Sequence, residues 1–259
     1  MGEQLQGRVI LVSGGTGGIG RGVARTMAEA GAQVVVHGRS AQTSEAAVAE
    51  LKTAYPQGDY QTAHADLSDV EAVGAMFEDL KARFGKLDGL VDCTQEKVGG
   101  VRGYFEEIDP KAFGPLVLST FVPLFNLCHH ALPLLKLAGG GAIVTVATDA
   151  GRIVQPRQTM IGTVKAGVMM FSRSLALEVS QYGVRVNCIS PSYVKDTPIY
   201  DWVVAEGPTS RAHTAMKRAK LGLPGPGDLG ALARFLCSDD AAYLTGQVIS
   251  VNGGLSSAA

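Results

Sequence analysis

Residues 9–20 read Val9-Ile10-Leu11-Val12-Ser13-Gly14-Gly15-Thr16-Gly17-Gly18-Ile19-Gly20. Four apolar, mostly β-branched residues form a short buried strand, a glycine-rich turn follows at once, and a helical pattern begins. A dinucleotide needs that order. Gly14 turns tightly out of the strand, Gly18 lacks the Cβ that would hold a pyrophosphate off the backbone, and Gly20 lets the helix pack close to the sheet. The helix N-terminus then offers free N–H groups and the positive end of its dipole to the phosphates. Thr16 and Ile19 lie in the same turn and join the three glycines as candidate cofactor contacts.

Outward from this motif, strand and helix patterns alternate. A helix over 21–30 ends at Gly31, and Val34 to Val36 is a second buried strand. A helix is expected over 44–55, stopped by Pro56, then a third strand over 60–65 that ends in Asp66-Leu67-Ser68-Asp69. Val70, Val73, Phe77, Leu80 and Phe84 trace one helical face, closed by Gly85. A fourth strand begins at Gly89. A long helix over 111–137 follows, with Pro123 expected to bend it. A fifth strand over 142–147, a helix over 163–182 and a sixth strand over 184–189 come next. The stretch 191–226 is expected to be irregular, before a helix over 228–237 and a last strand over 248–251. The pattern predicts an α/β fold: one doubly wound parallel sheet with helices on both faces.

Composition agrees with one domain: 259 residues, 46% hydrophobic and 18% charged. A net charge of −1 gives no global attraction to nucleic acid or membrane. Cys93, Cys128, Cys188 and Cys237 are far apart, with no Cys-x-x-Cys pair. They read as reduced thiols of a cytoplasmic protein, without disulfides or a zinc site. The polar start, 1–8, does not fit a secretory signal. The most apolar stretch, 116–137, contains Pro123, Pro133, His129, His130 and Lys136, and reads as a buried or intersubunit helix rather than a membrane span. Adjacent His129 and His130 would point about 100° apart on a helix and could not share a metal.

The residues after the second strand choose the dinucleotide. An acid there would accept the ribose hydroxyls of NAD, but the sequence is His37-Gly38-Arg39-Ser40. Arg39 offers a planar donor fork to a 2′-phosphate, with Ser40 as helper, so NADP(H) is expected over NAD(H). Asp66 falls at a strand end where adenine would sit, and it competes with Ser68 and Asp69 to cap the next helix.

The glycine loop, Asp66-Leu67, the helix from Lys165 to Glu178, Arg185-Val186-Asn187, Pro191-Ser192-Tyr193-Val194, and Thr245-Gly246-Gln247 through Gly253-Gly254 resemble the classical short-chain dehydrogenase/reductases over nearly the whole chain. The resemblance implies a Rossmann fold and a nicotinamide cofactor whose contacts include Leu67, Cys93, Lys165, Pro191, Val194 and Thr197. It also implies a small-molecule substrate covered by 191–226, and a homodimer or homotetramer built on 111–137 and 163–182.

The family's chemistry does not carry over intact. In its Tyr-x-x-x-Lys motif the lysine is Lys165, but Ile161 holds the tyrosine's place. The serine, thirteen residues earlier, falls on Thr148, the asparagine on Thr120, and Asn-Asn-Ala-Gly becomes Asp92-Cys93-Thr94-Gln95. Isoleucine neither donates nor accepts a proton, and general acid catalysis is typically worth about 10²- to 10⁴-fold. Lys165 and Thr148 remain as catalytic candidates, and Tyr193 or Tyr104 could be a relocated acid. Enoyl- and dienoyl-thioester reductases of the same superfamily also lack the tyrosine. There hydride goes to a conjugated carbon and charge gathers on a thioester oxygen, which Thr148, Lys165 and a cofactor ribose hydroxyl could stabilise. Arg211, His213, Lys217, Arg218 and Lys220 would suit a phosphate-bearing carrier such as coenzyme A. Three readings follow: a reductase of an activated double bond, a carbonyl reductase with a relocated acid, and a catalytically silent binding or assembly protein.

Overall fold

The computed structural model describes residues 4–257 apart from 96, 97, 206 and 208–210, and the backbone alone of 211 and 212. Seven strands, β1 (Val9–Ser13), β2 (Gln33–Gly38), β3 (Asp59–His64), β4 (Gly89–Asp92), β5 (Gly141–Val146), β6 (Val184–Pro191) and β7 (Val248–Val251), form one sheet in the order β3-β2-β1-β4-β5-β6-β7. Every pairing is parallel, with Val12 opposite Val36 on one side and Val91 on the other. The winding reverses between β1 and β4, and a crevice opens there at the strands' C-terminal ends.

Side chains alternate across a strand, so β1 feeds two cores. Ile10 and Val12 pack with Val23 and Met27 of α1 (Gly18–Glu29) and with Leu229 and Leu236 of α8 (Pro226–Cys237). Val9 and Leu11 pack on the other face with α3 (Val70–Phe84), α4 (Phe113–Leu137) and α5 (Thr159–Val179), through Phe77, Leu127 and Val168. Each fully buried apolar side chain of this kind contributes about 1.5–3 kcal/mol.

Several boundaries differ from expectation for local reasons. α2 (Ala41–Ala54) starts three residues early because Ser40 caps it: Ser40 Oγ accepts from Thr43 N at 3.4 Å, and Ser40 N donates to Thr43 Oγ1 at 3.2 Å. Asp69 caps α3, its Oδ1 accepting from Glu71 N and Ala72 N at 3.0 and 3.1 Å. Asp66 is left to accept from Ser68 instead. Val70, at the first turn, is 51% exposed and falls off the expected stripe, whereas Val73, Phe77 and Leu80 are buried. α4 follows a 3-10 turn at Pro110–Ala112 and continues through both Pro123 and Pro133. α5 starts four residues early, which puts Ile161 and Lys165 one turn apart on it, and its end is a separate 3-10 turn, Ser180–Tyr182.

The stretch expected to be irregular holds two short helices, α6 (Pro198–Ala205) and α7 (Arg211–Arg218). Pro198 begins α6, where its missing N–H costs nothing. Their buried residues, Val203, Ala215 and the following Ala219, are too few to leave a helical hydrophobic period.

By length and composition α4 could cross a membrane. Its inner face, including Leu116, Leu124, Leu127 and Leu135, is buried, while Val117, Leu118 and Phe125 are exposed. His129 is exposed, and His130 stacks on Phe77 at 6.0 Å between centroids. Among the described residues no group of His, Cys, Asp or Glu is arranged to hold a metal. All four cysteines are free and buried, and burial pushes the Cys93 and Cys128 thiols up, away from the reactive thiolate.

Candidate active site

A cleft of about 910 Å³ opens at the C-terminal ends of β1, β4, β5 and β6. The glycine turn forms one wall. Gly14 has φ +64°, and a Cβ on it would lie 2.8 Å from Cys93 O at the end of β4. A Cβ on Gly20 would lie 2.2 Å from Gly14 O, so α1 can sit against the turn only with glycine there. Gly17 caps α1 without a side chain, and no acid occupies the first turn. With Thr16, Gly18, Ile19 and Gly20 lining the cleft, the N-terminal N–H groups of α1 face it uncapped. Thr197 closes over this turn: its Cγ2 would be 3.2 Å from a Cβ on Gly18, and its hydroxyl donates to Val194 O at 2.7 Å. Val194, Thr197, Cys93 and Pro191 all line the cleft.

At the β2 end, exposed Arg39 lines the cleft; Ser40, also exposed, is not in its lining, and its hydroxyl bonds Thr43 in the α2 cap. His37 is buried, its Nε2 3.2 Å from Ala65 O and its Nδ1 without a partner among the described residues. Burial holds its pKa below the ordinary histidine value, so the ring is neutral near pH 7. Asp66 accepts from Ser68 Oγ at 2.6 Å and Ser68 N at 3.0 Å. Those bonds hold its carboxyl below the usual range, aided by the Arg39 charge. Leu67 lines the cleft beside it.

At the β5 end, Thr148 is half-buried and lines the cleft, and its hydroxyl does not cap the 3-10 turn Asp149–Gly151 that follows. A Cβ on Gly151 would lie 2.7 Å from Ala166 N and 2.8 Å from Lys165 C, so this turn rests directly on α5 at Lys165. Thr148 and Lys165 therefore share one wall, with Lys165 only 6% exposed. Ile161, 2% exposed, packs in an apolar cluster with Val101, Leu116 and Val164, and presents no polar atom to the cleft it lines. Behind Lys165 lies a cavity of about 10 Å³, room for one water, bordered by Asp92, Thr94, Ser119 and Thr120. Asp92 Oδ1 accepts from Ser13 Oγ at 2.7 Å and Thr94 Oγ1 at 2.6 Å. The Thr120 hydroxyl is spent on Leu116 O at 2.8 Å, within its own helix.

Of the two alternative acids, Tyr193 lines the cleft and Tyr104 does not. Tyr104 is 55% exposed, with the Arg157 guanidinium 5.8 Å over its ring. The covering segment reaches the cleft through Ile199, Tyr200 and Val203 of α6. The described basic residues of and after α7, His213, Lys217, Arg218 and Lys220, stay outside it, and Lys220 Nζ bonds Lys217 O at 2.9 Å. The Arg211 side chain lies outside the described residues.

Sequence reasoning missed two features. Asp149, 1% exposed, accepts from Ser190 Oγ at 2.8 Å, Ser250 Oγ at 2.9 Å, Asn252 Nδ2 at 2.6 Å and Ser256 Oγ at 3.2 Å. It thus ties the ends of β5, β6 and β7 together, directly after Thr148 of the cleft lining. A carboxylate directly after the candidate hydroxyl, at the end of an apolar strand, was the available signal. Arg102, Gln155 and Gln158, which also line the cleft, lie in loops with no periodicity to single them out.

A family model described as Enoyl-(Acyl carrier protein) reductase matches residues 14–256. The L-fucose dehydrogenase of Oryctolagus cuniculus is 32% identical over 260 residues, covering 98% of this chain and 86% of that protein. The 3-oxoacyl-(acyl-carrier-protein) reductase of Chlamydia muridarum is 30% identical over 263 residues, covering 98% and 100%. Among solved structures, levodione reductase superposes with a TM-score of 0.86 at 27% identity, over 96% of this chain and 98% of that one. A 7α-hydroxysteroid dehydrogenase solved with NADH and 7-oxo glycochenodeoxycholic acid gives 0.84 at 26%, over 96% and 94%. With a parallel sheet wound about its glycine turn and a family match over nearly its full length, the chain belongs to the short-chain dehydrogenase/reductase family.

Proposed function

We propose that this oxidoreductase uses NADP(H) to reduce an activated, enoyl-type double bond, with Ile161 standing where the family carries its tyrosine acid. The observation that carries this reading is the apolar burial of Ile161 one turn before Lys165, on a cleft that Thr148 and Lys165 also line. The uncapped first turn of α1 and the glycine turn that a Cβ would fill fit a pyrophosphate. Arg39 would meet the 2′-phosphate, Asp66 and Leu67 the adenine, and Lys165, Pro191, Val194 and Thr197 the nicotinamide half.

The bound dinucleotide supplies the hydride. Reduction of a plain ketone also requires a proton at oxygen, which Ile161 cannot give. In a conjugated carbonyl compound hydride adds to the β-carbon, and the electron pair moves onto the carbonyl oxygen. The Thr148 hydroxyl and the Lys165 ammonium donate to that oxygen, as preorganised donors aimed at the developing charge. The α-carbon takes its proton afterwards from water, and the small cavity beside Lys165 has room to hold one. In a second reading, favoured by its place on the cleft wall, Tyr193 is a relocated acid for carbonyl reduction. NADPH consumption with crotonyl-pantetheine but not with acetoacetyl-pantetheine supports the first reading. The reverse supports the second. Cofactor binding with no turnover would leave a binding protein.

For the cofactor, a melting scan with NADPH at about one hundred times its Kd gains about 2.7 kcal/mol, or roughly 5–10 °C for a chain this size. NADH at the same concentration gives a smaller shift. Arg39→Ala weakens NADPH by about 10- to 100-fold through the loss of charge-assisted bonds. Equal shifts for both dinucleotides would overturn the preference.

The exposed Val117, Leu118 and Phe125 of α4, beside Met170 and Leu177 of α5, support a homodimer or homotetramer built on these helices. The basic residues around α7 support a carrier thioester held outside the cleft. Four buried thiols suit a reducing, cytoplasmic setting.

A further inference from the structure

The reduction uses Thr148 and Lys165 and leaves one charged residue of the cleft lining, Arg102, to be explained. Small-molecule sites are mostly apolar, with a few placed polar groups that fix the pose. Val98, Pro123, Ala150, Ile161 and Val203 give the cleft apolar surface, and its polar side chains include Thr94, Gln95, Ser119, Thr148, Lys165 and Tyr193. Arg102, Gln155 and Gln158 line the same cleft, and the reduction gives the Arg102 charge no task.

Two contacts bring these residues together. Gly103 N donates to Arg157 O at 3.1 Å, which fastens the segment carrying Arg102 to the loop carrying Gln155 and Gln158. The Arg157 guanidinium lies 5.8 Å over the Tyr104 ring, one residue further on. Arg102 itself has no ion-pair or hydrogen-bond partner among the described residues. The acids nearest in sequence, Glu106, Glu107 and Asp109, are exposed and do not line the cleft. Glu107 Oε2 accepts from Tyr104 N at 3.2 Å, and Asp109 Oδ1 from Lys111 N at 2.9 Å. Asp66 is the acid that lines the described cleft, and it sits beside Arg39.

We propose that this part of the cleft is an anion subsite, in which Arg102, together with the Gln155 and Gln158 amides, holds a carboxylate or phosphate carried by the substrate. It rests on the reading of the cleft as a reductase site, and it makes the substrate a small conjugated carbonyl compound with an apolar middle and an anionic end. A guanidinium meets either anion through two parallel N–H bonds, and the amides add neutral donors.

Matched pairs of compounds test this with the full-length protein and NADPH. trans-4-Oxo-2-pentenoate is compared with its methyl ester, and crotonyl-pantetheine 4′-phosphate with crotonyl-pantetheine. The anionic member of one pair should have a KM about 10- to 100-fold below its neutral partner, as expected for hydrogen bonds to a charged group. The pair that shows the ratio identifies the anion. Arg102→Gln should bring the two KM values together, while Lys52→Gln, an equal charge change on α2, keeps them apart. Melting shifts with the same compounds read binding without turnover. If nothing is turned over but the anionic member still raises the melting temperature more, and Arg102→Gln removes the difference, the subsite stands and the reductase reading falls. If the neutral and anionic members of both pairs are consumed alike, the subsite is overturned and the reductase reading stands.

Discussion

Ile161→Tyr should raise NADPH-dependent reduction of a plain ketone such as cyclohexanone by about 10²- to 10⁴-fold, the usual worth of a placed general acid. The residue lies one helical turn before Lys165 and lines the cleft, so a phenol there reaches the same wall as the Lys165 ammonium and the Thr148 hydroxyl. The positive charge favours the phenolate and brings the tyrosine pKa down toward the working range. Tyrosine is larger than isoleucine, and Val101, Leu116 and Val164 already fill the space behind it. Overpacking should therefore cost about 1–3 kcal/mol, which a melting curve will show. Initial rates with the wild-type and variant proteins give the answer. A folded variant with no gain would mean that the missing acid is not what limits ketone reduction.

Asp149→Ala should lower stability by about 3–5 kcal/mol. Buried donors left without an acceptor cost about 1–3 kcal/mol each, and Ser190, Asn252 and the half-buried Ser250 and Ser256 all lose one. Water that enters the hole recovers part of this. For a chain of this length each kcal/mol is worth about 2–4 °C, so the melting temperature should drop by roughly 6–20 °C. Asp149→Asn keeps the shape and half of the acceptor capacity, and should lose less than half as much. Arg152, which donates to Val248 O at 3.2 Å and Ser250 Oγ at 2.8 Å, holds the same strand and limits the damage to β7. A drop below about 3 °C for Asp149→Ala would show that the network does not carry the stability its burial implies.

What could be read from the residues alone is clearest where one physical requirement acted. The strands of a parallel sheet covered on both faces must be continuously apolar, and β1, β2 and β5 were found on that basis. The glycine turn was legible because Gly14 and Gly20 meet backbone that no side chain could approach. The cap was the part of Ser40 that the sequence did not single out: its hydroxyl bonds Thr43 at the start of α2. α6 and α7 were missed because they pack few residues and carry no stripe. The Asp149 network joins residues more than one hundred positions apart, a relation no local pattern reveals. Arg102, Gln155 and Gln158 became visible only when the cleft had walls.

The most direct measurement is the product formed from 2-cyclohexenone and NADPH, identified by gas chromatography. One substrate offers both a conjugated double bond and a carbonyl group. Cyclohexanone as product is the predicted result, because Thr148 and Lys165 can hold charge on the oxygen while Ile161 offers it no proton. 2-Cyclohexenol would contradict it, and would show that a proton reaches the carbonyl oxygen by another route.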